Sequence, residues 1–328
     1  MDIVSIISER YRQRILRALV VSNMLPDARH PERGRFVRDQ VAALRSLPEI
    51  EVELYEFPPG GAALVQAARE LRRRYGAKTA RLDVVHAHFG LTAWPALAAR
   101  AQVRGLTVHG TDVRHPRTRL ATRAALPLMD LLAAPTPELV EALPGRGARR
   151  RARVLPCGVD MERFHPIARA EARAELGLDP QTACLLFAAD PARPGKRYGR
   201  ARELAGATPL HTLGGVAPEQ VPLWMNAANA VLVPSDAEGF GLAVLEALAC
   251  DVPVLATPVG VHPQALAGVA GTLCAPFELK RWRAALAPHL RDHDPRVAGR
   301  EQAERYSARR MAERLAEAWR ELLERKRG

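Results

Sequence analysis

Cysteine is scarce in this chain. Only four of the 328 residues are cysteine, and no two of them lie within twenty residues of each other. The sequence therefore has no C-x-x-C pair and no zinc-ligand spacing. Four cysteines in so long a chain do not make a disulfide scaffold, and we expect a reducing, cytoplasmic environment.

Long hydrophobic runs are also missing. No uncharged apolar run approaches the roughly 18 residues that a membrane-spanning helix needs. The start MDIVSIISERYRQRIL is too charged for an export signal. Its apolar positions recur at helical spacing, which predicts an amphipathic helix over residues 1–16. This helix either packs on its domain or lies on a membrane surface.

Several functional signatures are absent. The sequence contains no Gly-x-Ser-x-Gly turn, no Walker loop, no repeat of the solenoid type and no low-complexity tract. Aromatic residues make up 5% of the chain, and no nucleic-acid recognition motif accompanies them. We therefore expect no nucleic-acid partner.

The length and the charge of the chain are informative in turn. A chain of 328 residues is about twice the usual domain size of ~150, so two domains are expected. Residues 1–165 carry 27 basic and 17 acidic residues, a charge of 27 − 17 = +10, whereas residues 166–328 carry 21 and 19, a charge of +2. The basic first half favours an anionic partner or a peripheral contact with an anionic membrane.

Short apolar runs alternate with longer amphipathic stretches along the whole chain. This order is typical of parallel sheets covered by helices on both faces, and it occurs twice, so we predict two doubly wound α/β domains. The proline-flanked segment PCGVDMERFHP (156–166) is the expected hinge. The strand-like runs are residues 18–23, 51–57, 83–89, 105–110, 130–135, 153–158, 184–189, 230–235 and 253–258. The helix-like stretches include residues 92–103 and 301–326, and the basic run 146–153 is interpreted as a solvated loop or as a contact for an anionic partner.

The segment EGFGLAVLEA (238–247) carries the clearest chemical pattern. A buried strand ends just before it, and a helix is expected from about Leu242. Ligands bind beyond strand carboxyl ends in such sheets, and a helix N-terminus there presents N–H groups to anions. Glu238 and Glu246 flank this turn and could bind sugar and ribose hydroxyls. The alternatives are complementation of the helix dipole for Glu238 and a surface position for Glu246.

Three further positions could contact phosphate or sugar. The loop ADPARPGKRY (189–198) follows a strand and offers Arg193 and Lys196 to a diphosphate, or is a solvated turn. Gly34 lies between the first strand and the first helix and is either a phosphate contact or a helix-entry glycine. His109 ends a strand, as do His86 and His88, but no third ligand has clear spacing and we expect no metal.

These motifs together resemble those of the retaining family 4 glycosyltransferases (glycosyl transferases group 1). EGFGLAVLEA matches the E-x7-E signature, VLPCGVDMERFHP matches the segment P-x-G-V-D-x-x-x-F, and HAHFG, TVHGTD and VLVPS follow in the same order. The resemblance covers the chain from about residue 18. The 189–198 loop is most similar to that of enzymes for cell-surface polysaccharides such as teichuronic acid.

The resemblance implies a GT-B fold, in which two Rossmann-like domains face a cleft. The acceptor domain would span residues 1–163, the nucleotide-sugar domain residues 164–305, and a last helix over residues 306–328 would cross back. It implies that Glu238 binds donor-sugar hydroxyls and Glu246 the nucleotide ribose. Lys196 would contact the diphosphate, His109 the transferring sugar and Gly34 the phosphates. The sugar and phosphate would also be held by backbone amides of Gly239, Phe240, Gly241 and Leu242.

The sequence departs from the family pattern at two places. An arginine expected after the strand is replaced near Asp190 by an acid, for which Arg193 could substitute. Only about 45 residues separate Phe187 from Leu232, so the C-terminal domain is expected to be shortened.

The expected function is metal-independent transfer of a sugar from a nucleoside-diphosphate sugar, a substrate rather than a cofactor. The acceptor would be a glycan, a lipid-linked glycan or another hydroxyl compound. The alternatives are a catalytically weak protein that binds nucleotide sugars and another GT-B enzyme, such as a nucleotide-sugar epimerase.

Overall fold

The chain forms two compact units. The computed structural model describes residues 15–28, 30–77 and 82–327. The first unit comprises Met1–Pro26, Arg33–Pro156 and Arg309–Gly328, and the second comprises Asp27–Glu32 and Cys157–Ala308. The amphipathic helix expected over residues 1–16 lies outside the described residues except for its last two positions.

The first unit contains a six-stranded parallel sheet in the order β2-β1-β3-β4-β5-β6. Its strands are β1 (Leu16–Ser22), β2 (Ile50–Glu56), β3 (Leu82–His88), β4 (Ala101–Thr107), β5 (Leu131–Ala134) and β6 (Arg153–Val154). Its helices are α1 (Arg35–Arg45), α2 (Gly61–Tyr75), α3 (Ala93–Ala96), α4 (Thr111–Arg114), α5 (Pro116–Ala125), α6 (Pro137–Ala142) and α7 (Arg146–Arg151).

The central strands of this sheet are largely buried on both faces, as expected for a parallel sheet that helices cover on each side. Every residue of β3 is buried. The last helix of the chain, α15 (Ala308–Arg325), adds Leu315 and Trp319 to the core on one face of the sheet. It does so because its apolar residues recur every three or four positions.

The second unit contains a five-stranded parallel sheet in the order β11-β10-β9-β7-β8. Its strands are β7 (Leu185–Phe187), β8 (Leu210–Thr212), β9 (Ala230–Val233), β10 (Val254–Ala256) and β11 (Leu273–Cys274). Its helices are α8 (Arg169–Glu175), α9 (Tyr198–Ala205), α10 (Val221–Ala227), α11 (Leu242–Ala249), α12 (His262–Ala265), α13 (Leu279–Arg291) and α14 (Arg300–Glu304). The two parallel sheets with their helices confirm the predicted α/β class.

Three local predictions were wrong. The expected helix 92–103 is limited to α3, because Ala101 already pairs with Leu82 as the first residue of β4. The expected helix 301–326 is interrupted, because Val159 donates to the Tyr306 carbonyl and accepts from Ala308, each at 2.8 Å. The basic run read as a loop forms the short helix α7.

Within the described residues, no helix is both long enough and apolar enough to cross a membrane.

Candidate active site

Each sheet has one point at which the order of its strands reverses. In the first unit β1 is followed by β2 on one side and by β3 on the other, and in the second unit β7 is followed by β8 and then by β9. Ligands of open α/β sheets bind at the carboxyl ends of the strands at such a point. The polar residues that follow β1, β3, β7 and β9 are therefore the first to consider.

In the second unit, Lys196 and Glu238 meet at this point. Lys196 ends a short 3-10 turn after β7, and Glu238 follows β9. The Lys196 ammonium donates to both carboxylate oxygens of Glu238, at 2.7 Å each. The two side chains are only 15% and 7% exposed. A charged pair is therefore largely shielded from water at the carboxyl ends of the strands.

The charge of Glu238 depends on its partner. Burial by itself would raise the pKa of this carboxyl, but the charge and hydrogen bonds of Lys196, with smaller contributions from Ser235 and His262, outweigh burial and hold the pKa below its usual value. Glu238 is therefore a carboxylate at neutral pH. Without the cation, the buried carboxylate would destabilise the folded protein, because the ion pair would no longer offset its lost hydration.

The loops that carry this pair are tied together by a second set of contacts. The Asp236 N–H donates to the Gly195 carbonyl at 3.0 Å, and the Asp236 carboxylate accepts from Arg200 at 2.8 Å and from Arg197. Because these contacts join the loop after β7 to the loop after β9, they fix the position of Lys196 relative to Glu238.

The turn from Gly239 to Leu242 leads into α11. Gly241 precedes the helix with φ +106°, and a Cβ there would lie 2.4 Å from the His262 Nε2 atom. Phe240 is buried against Tyr306, with ring centroids 6.2 Å apart. No side chain caps α11 and its first turn holds no acidic residue. Its first N–H groups are therefore suited to an anion.

His262 was missed by the sequence analysis, because a single histidine after a strand gives no signal. It is fully buried beneath Gly241, and its Nδ1 atom lies 2.8 Å from the Thr257 carbonyl. That carbonyl can only accept, so Nδ1 carries the proton. Burial lowers the pKa of His262 despite this bond and the nearby Glu238, so the ring is neutral.

Glu246 lies on α11, beyond the turn that carries Glu238. Its side chain is half-buried, and its negative charge adds to burial in raising the pKa of Cys250 to about 12. The role of Glu246 as a ligand of the nucleotide ribose stays a prediction.

Arg193 is exposed, and it lines a groove with Arg197, Tyr198 and Arg200 that does not include Lys196 or Glu238. The neighbouring Asp190, the acid found where an arginine was expected, accepts from the Ala192 N–H at 2.8 Å. This carboxylate thus closes a turn of its own loop. The substitution of Arg193 for the expected arginine stays a prediction.

In the first unit, the carboxyl ends of β3 and β4 bring three histidines together. His88 Nδ1 lies 2.9 Å from His109 Nε2, and the His86 and His88 ring centroids are 5.4 Å apart. Phe36 and Phe89 pack on His109, at centroid distances of 4.8 and 4.7 Å. Burial lowers the pKa of all three histidines, to about 3 for His88, so the cluster is neutral.

Asp112 organises the two loops that carry these histidines. Its carboxylate accepts from the backbone N–H groups of Gly90, His109 and Gly110, at 2.8 to 3.2 Å. Burial raises its pKa, and the three backbone hydrogen bonds oppose that rise. Asp112 therefore fixes the backbone of His109 and was not identified as a site residue from the sequence.

Gly34 precedes α1 with φ +71°. A Cβ there would lie 2.4 Å from the Met24 carbonyl oxygen and 3.1 Å from a Glu56 carboxylate oxygen. The fold itself therefore requires glycine at this position. The predicted contact with phosphate stays a prediction.

In the part of the chain that the structure describes, no group of three or more histidine, cysteine, aspartate or glutamate residues is arranged to hold a metal ion. Lys196 and the helix N-terminus are the positive groups of the second-unit site.

Comparisons with known proteins identify a family for the chain. Residues 7–163 match the model of Glycosyltransferase Family 4, and residues 170–292 match that of Glycosyl transferases group 1. A D-inositol 3-phosphate glycosyltransferase of Actinosynnema mirum is 32% identical, over 83% of this chain and 79% of that protein. One of Thermobispora bispora is 30% identical, over 75% and 72%.

Solved structures share the fold at low identity. Sucrose-phosphate synthase from Thermosynechococcus elongatus superimposes with a TM-score of 0.72 at 18% identity, over 94% of this chain and 99% of that one. Anabaena HepE in complex with UDP-glucose superimposes with a TM-score of 0.66 at 17% identity, over 92% and 99%.

Proposed function

The chain belongs to the family 4 glycosyltransferases, and we propose that it moves a sugar from a nucleoside-diphosphate sugar to an acceptor hydroxyl with retention of anomeric configuration. The observation that carries this proposal is the buried Lys196–Glu238 pair beside the N-terminus of α11. The cation can bind the diphosphate of a nucleotide sugar, and the carboxylate can accept hydrogen bonds from the hydroxyls of its sugar.

The reaction breaks the bond between the anomeric carbon and the β-phosphate oxygen, whose electron pair stays on the departing diphosphate. The acceptor oxygen bonds to the anomeric carbon on the same face, and its proton passes to a departing phosphate oxygen. No protein base is required. Fixed positive groups aimed at the diphosphate lower the barrier, and losing one such donor costs ~10²–10³ in rate.

In this mechanism different residues of the second unit bind different parts of the donor. Lys196 moves from Glu238 to the diphosphate, and the amides of Gly239, Phe240, Gly241 and Leu242 hold sugar and phosphate. Glu238 then accepts from sugar hydroxyls, and Glu246 from the ribose. Arg193 supplies a further positive charge. In the first unit, His109 contacts the transferring sugar, and Gly34 lets the backbone of α1 approach the phosphates.

The acceptor we propose is anionic. The relatives named above are D-inositol 3-phosphate glycosyltransferases, and the charge of +10 on residues 1–165 suits a phosphorylated polyol or a lipid-linked anionic glycan. A peripheral membrane contact is compatible with Trp94 and Leu120 of the first unit, which are 42% and 70% exposed. Comparing D-inositol 3-phosphate with free inositol, and anionic with neutral vesicles, tests both expectations.

The experiment for the donor is a thermal-shift panel of nucleoside diphosphates and their sugars. A true ligand at about 100 times its Kd should stabilise the protein by ~2.7 kcal/mol. Donor hydrolysis and product analysis with the best binder follow. A new glycoside with retained configuration supports transfer, whereas a free epimer indicates an epimerase, and binding with no turnover indicates a binding protein.

A further inference from the structure

His109 is half-buried, and a contact with a neighbouring histidine determines which of its ring nitrogens carries the proton. Its Nε2 atom lies 2.9 Å from His88 Nδ1. One of these nitrogens must donate and the other accept, since both rings are neutral. The choice decides whether the other nitrogen of His109, Nδ1, carries a proton.

His86 shows how such a choice is made in this cluster. The Trp319 indole N–H can only donate, and it points at His86 Nδ1 at 3.1 Å. His86 therefore carries its proton on Nε2, which lies 2.8 Å from the Thr107 hydroxyl. Both ring nitrogens of His86 have partners, and Gly105 provides the space, because a Cβ there would lie 2.3 Å from His86 Nδ1.

His88 has a partner on one side only. Its Nε2 atom is buried and has no hydrogen-bond partner among the described residues, and the whole residue is inaccessible to solvent. A proton on Nε2 would be a buried N–H without an acceptor. A proton on Nδ1 leaves only an unpaired acceptor on Nε2, and buried acceptors without partners are better tolerated than buried N–H groups.

We propose that His88 is a positioning residue that donates its Nδ1 proton to His109 Nε2 and thereby fixes His109 as a neutral imidazole with its proton on Nδ1. His109 then offers an N–H donor, not a lone pair, at its remaining nitrogen. No described residue forms a hydrogen bond with that nitrogen. This inference deepens the proposed function and rests on it for its consequence, which is that His109 donates to an oxygen of the transferring sugar.

The surroundings hold this arrangement in place. Asp112 fixes the His109 backbone, and the His88 and His109 ring planes lie 21° apart. Phe36 and Phe89 pack against the His109 ring. Burial keeps the pKa of His109 well below its usual value, so the donor is neutral throughout the physiological pH range.

The test is nitrogen-15 NMR of the histidine rings in the whole protein, with long-range correlations that distinguish the two neutral tautomers. His109→Asn identifies the His109 signals. We expect His109 and His88 to carry their protons on Nδ1 and His86 on Nε2. His109 protonated on Nε2 in the wild-type protein would overturn the proposal, whatever the enzyme's substrate.

Two variants of His88 separate the hydrogen bond from simple packing. The amide nitrogen of asparagine can take the place of histidine Nδ1, so His88→Asn should keep the His109 tautomer, whereas His88→Leu should lose it. An unchanged His109 tautomer in His88→Leu contradicts the proposal. If His88→Leu does not fold, the wild-type and His88→Asn spectra decide alone.

Activity is a second readout. Partners that orient metal-bound histidines contribute about 10–100-fold. We expect a loss of the same order in kcat/KM for His88→Leu, most of which His88→Asn should recover. His293→Asn, on an exposed loop, is the control and should leave turnover unchanged. Absence of any turnover in the wild-type protein would contradict the proposed function, while the tautomer measurement would still test this inference.

Discussion

In both units the polar residues lie at the carboxyl ends of the strands where the strand order reverses. These residues are neutral in the first unit and charged in the second. In the first unit, the strand ends carry three histidines that burial keeps neutral. In the second unit, they carry a buried ion pair between Lys196 and Glu238. Parallel sheets therefore determine where a site forms, and the residues after each strand determine its chemistry.

The difference suits the two units to different chemical groups of a ligand. A diphosphate needs fixed positive charge, which a neutral imidazole cluster cannot supply. Sugar hydroxyls and a leaving oxygen can be recognised by uncharged donors. Removing the charge of the second unit, or the neutrality of the first, tests this difference.

The largest effect is expected for Lys196→Met. The variant removes the proposed diphosphate contact and leaves the Glu238 carboxylate, whose side chain is 7% exposed, without its cation. Turnover should fall by ~10²–10³, and unfolding should cost roughly 3–5 kcal/mol less. Steady-state kinetics and chemical denaturation measure the two losses.

The double variant Lys196→Met with Glu238→Gln is the matched control. Because it also removes the unpaired carboxylate, it should recover much of the stability but none of the turnover. If the double variant regained activity, Lys196 would be structural and the second unit would not supply charge to the reaction.

A smaller effect is expected for Glu246→Ala. Loss of a hydrogen bond to a charged group costs about 1.5–3 kcal/mol, so nucleotide binding should weaken by roughly ten- to a hundredfold. Isothermal titration with a nucleoside diphosphate measures it, and the deoxyribose form of the same nucleotide should show a smaller difference between the two proteins. Equal affinity of both proteins for the ribose form would remove Glu246 from the site.

The neutrality of the first unit predicts acid sensitivity. Burial lowers the pKa of His88 from 6.5 to about 3, so its contribution to stability is complete above pH 6.5 and is lost as the pH falls towards 3. His88→Asn removes this titration. The Tm advantage of the wild-type protein over His88→Asn should therefore shrink from pH 7.5 to pH 5, and a gap that does not change with pH would argue against a buried neutral histidine.

The smallest effect is expected for Arg197→Ala. Arg197 is half exposed, and it pairs with Asp236. Exposed pairs contribute about 0–1 kcal/mol, and Arg200 and the Gly195 carbonyl still hold Asp236 in this variant, so Tm and turnover should change little compared with Lys196→Met. A loss as large as that of Lys196→Met would mean that the whole loop, rather than one ammonium group, carries the charge.

The sequence predicted the strand ends and the polar residues that follow them better than the contacts between those residues. Apolar runs located β1, β3 and β9, and strand ends followed by glycines located Glu238 and His109. Their partners are distant in the sequence: Lys196 and Glu238 are 42 residues apart, and His88 and His109 are 21 apart. Spacing alone carries no information on which side chains meet across neighbouring strands.

Other features could not be predicted because they are short or depend on tertiary packing. β8 and β11 have three and two residues, too few for a periodic pattern. The alanine-rich stretch 92–103 has high helix propensity, but Ala101 is drawn into the sheet by its pairing with β3. His262 is informative only through its contact with Gly241, which the sequence does not show.

The most direct test of the charged second unit is a calorimetric titration of UDP-glucose, alongside other nucleotide sugars, into the wild-type protein and into Lys196→Met. We expect one of these donors to bind the wild-type protein. Its affinity for the variant should be at least about tenfold weaker, because a hydrogen bond to a charged group is lost. Equal affinity for both proteins, or no binding of any nucleotide sugar to the wild-type protein, would contradict it.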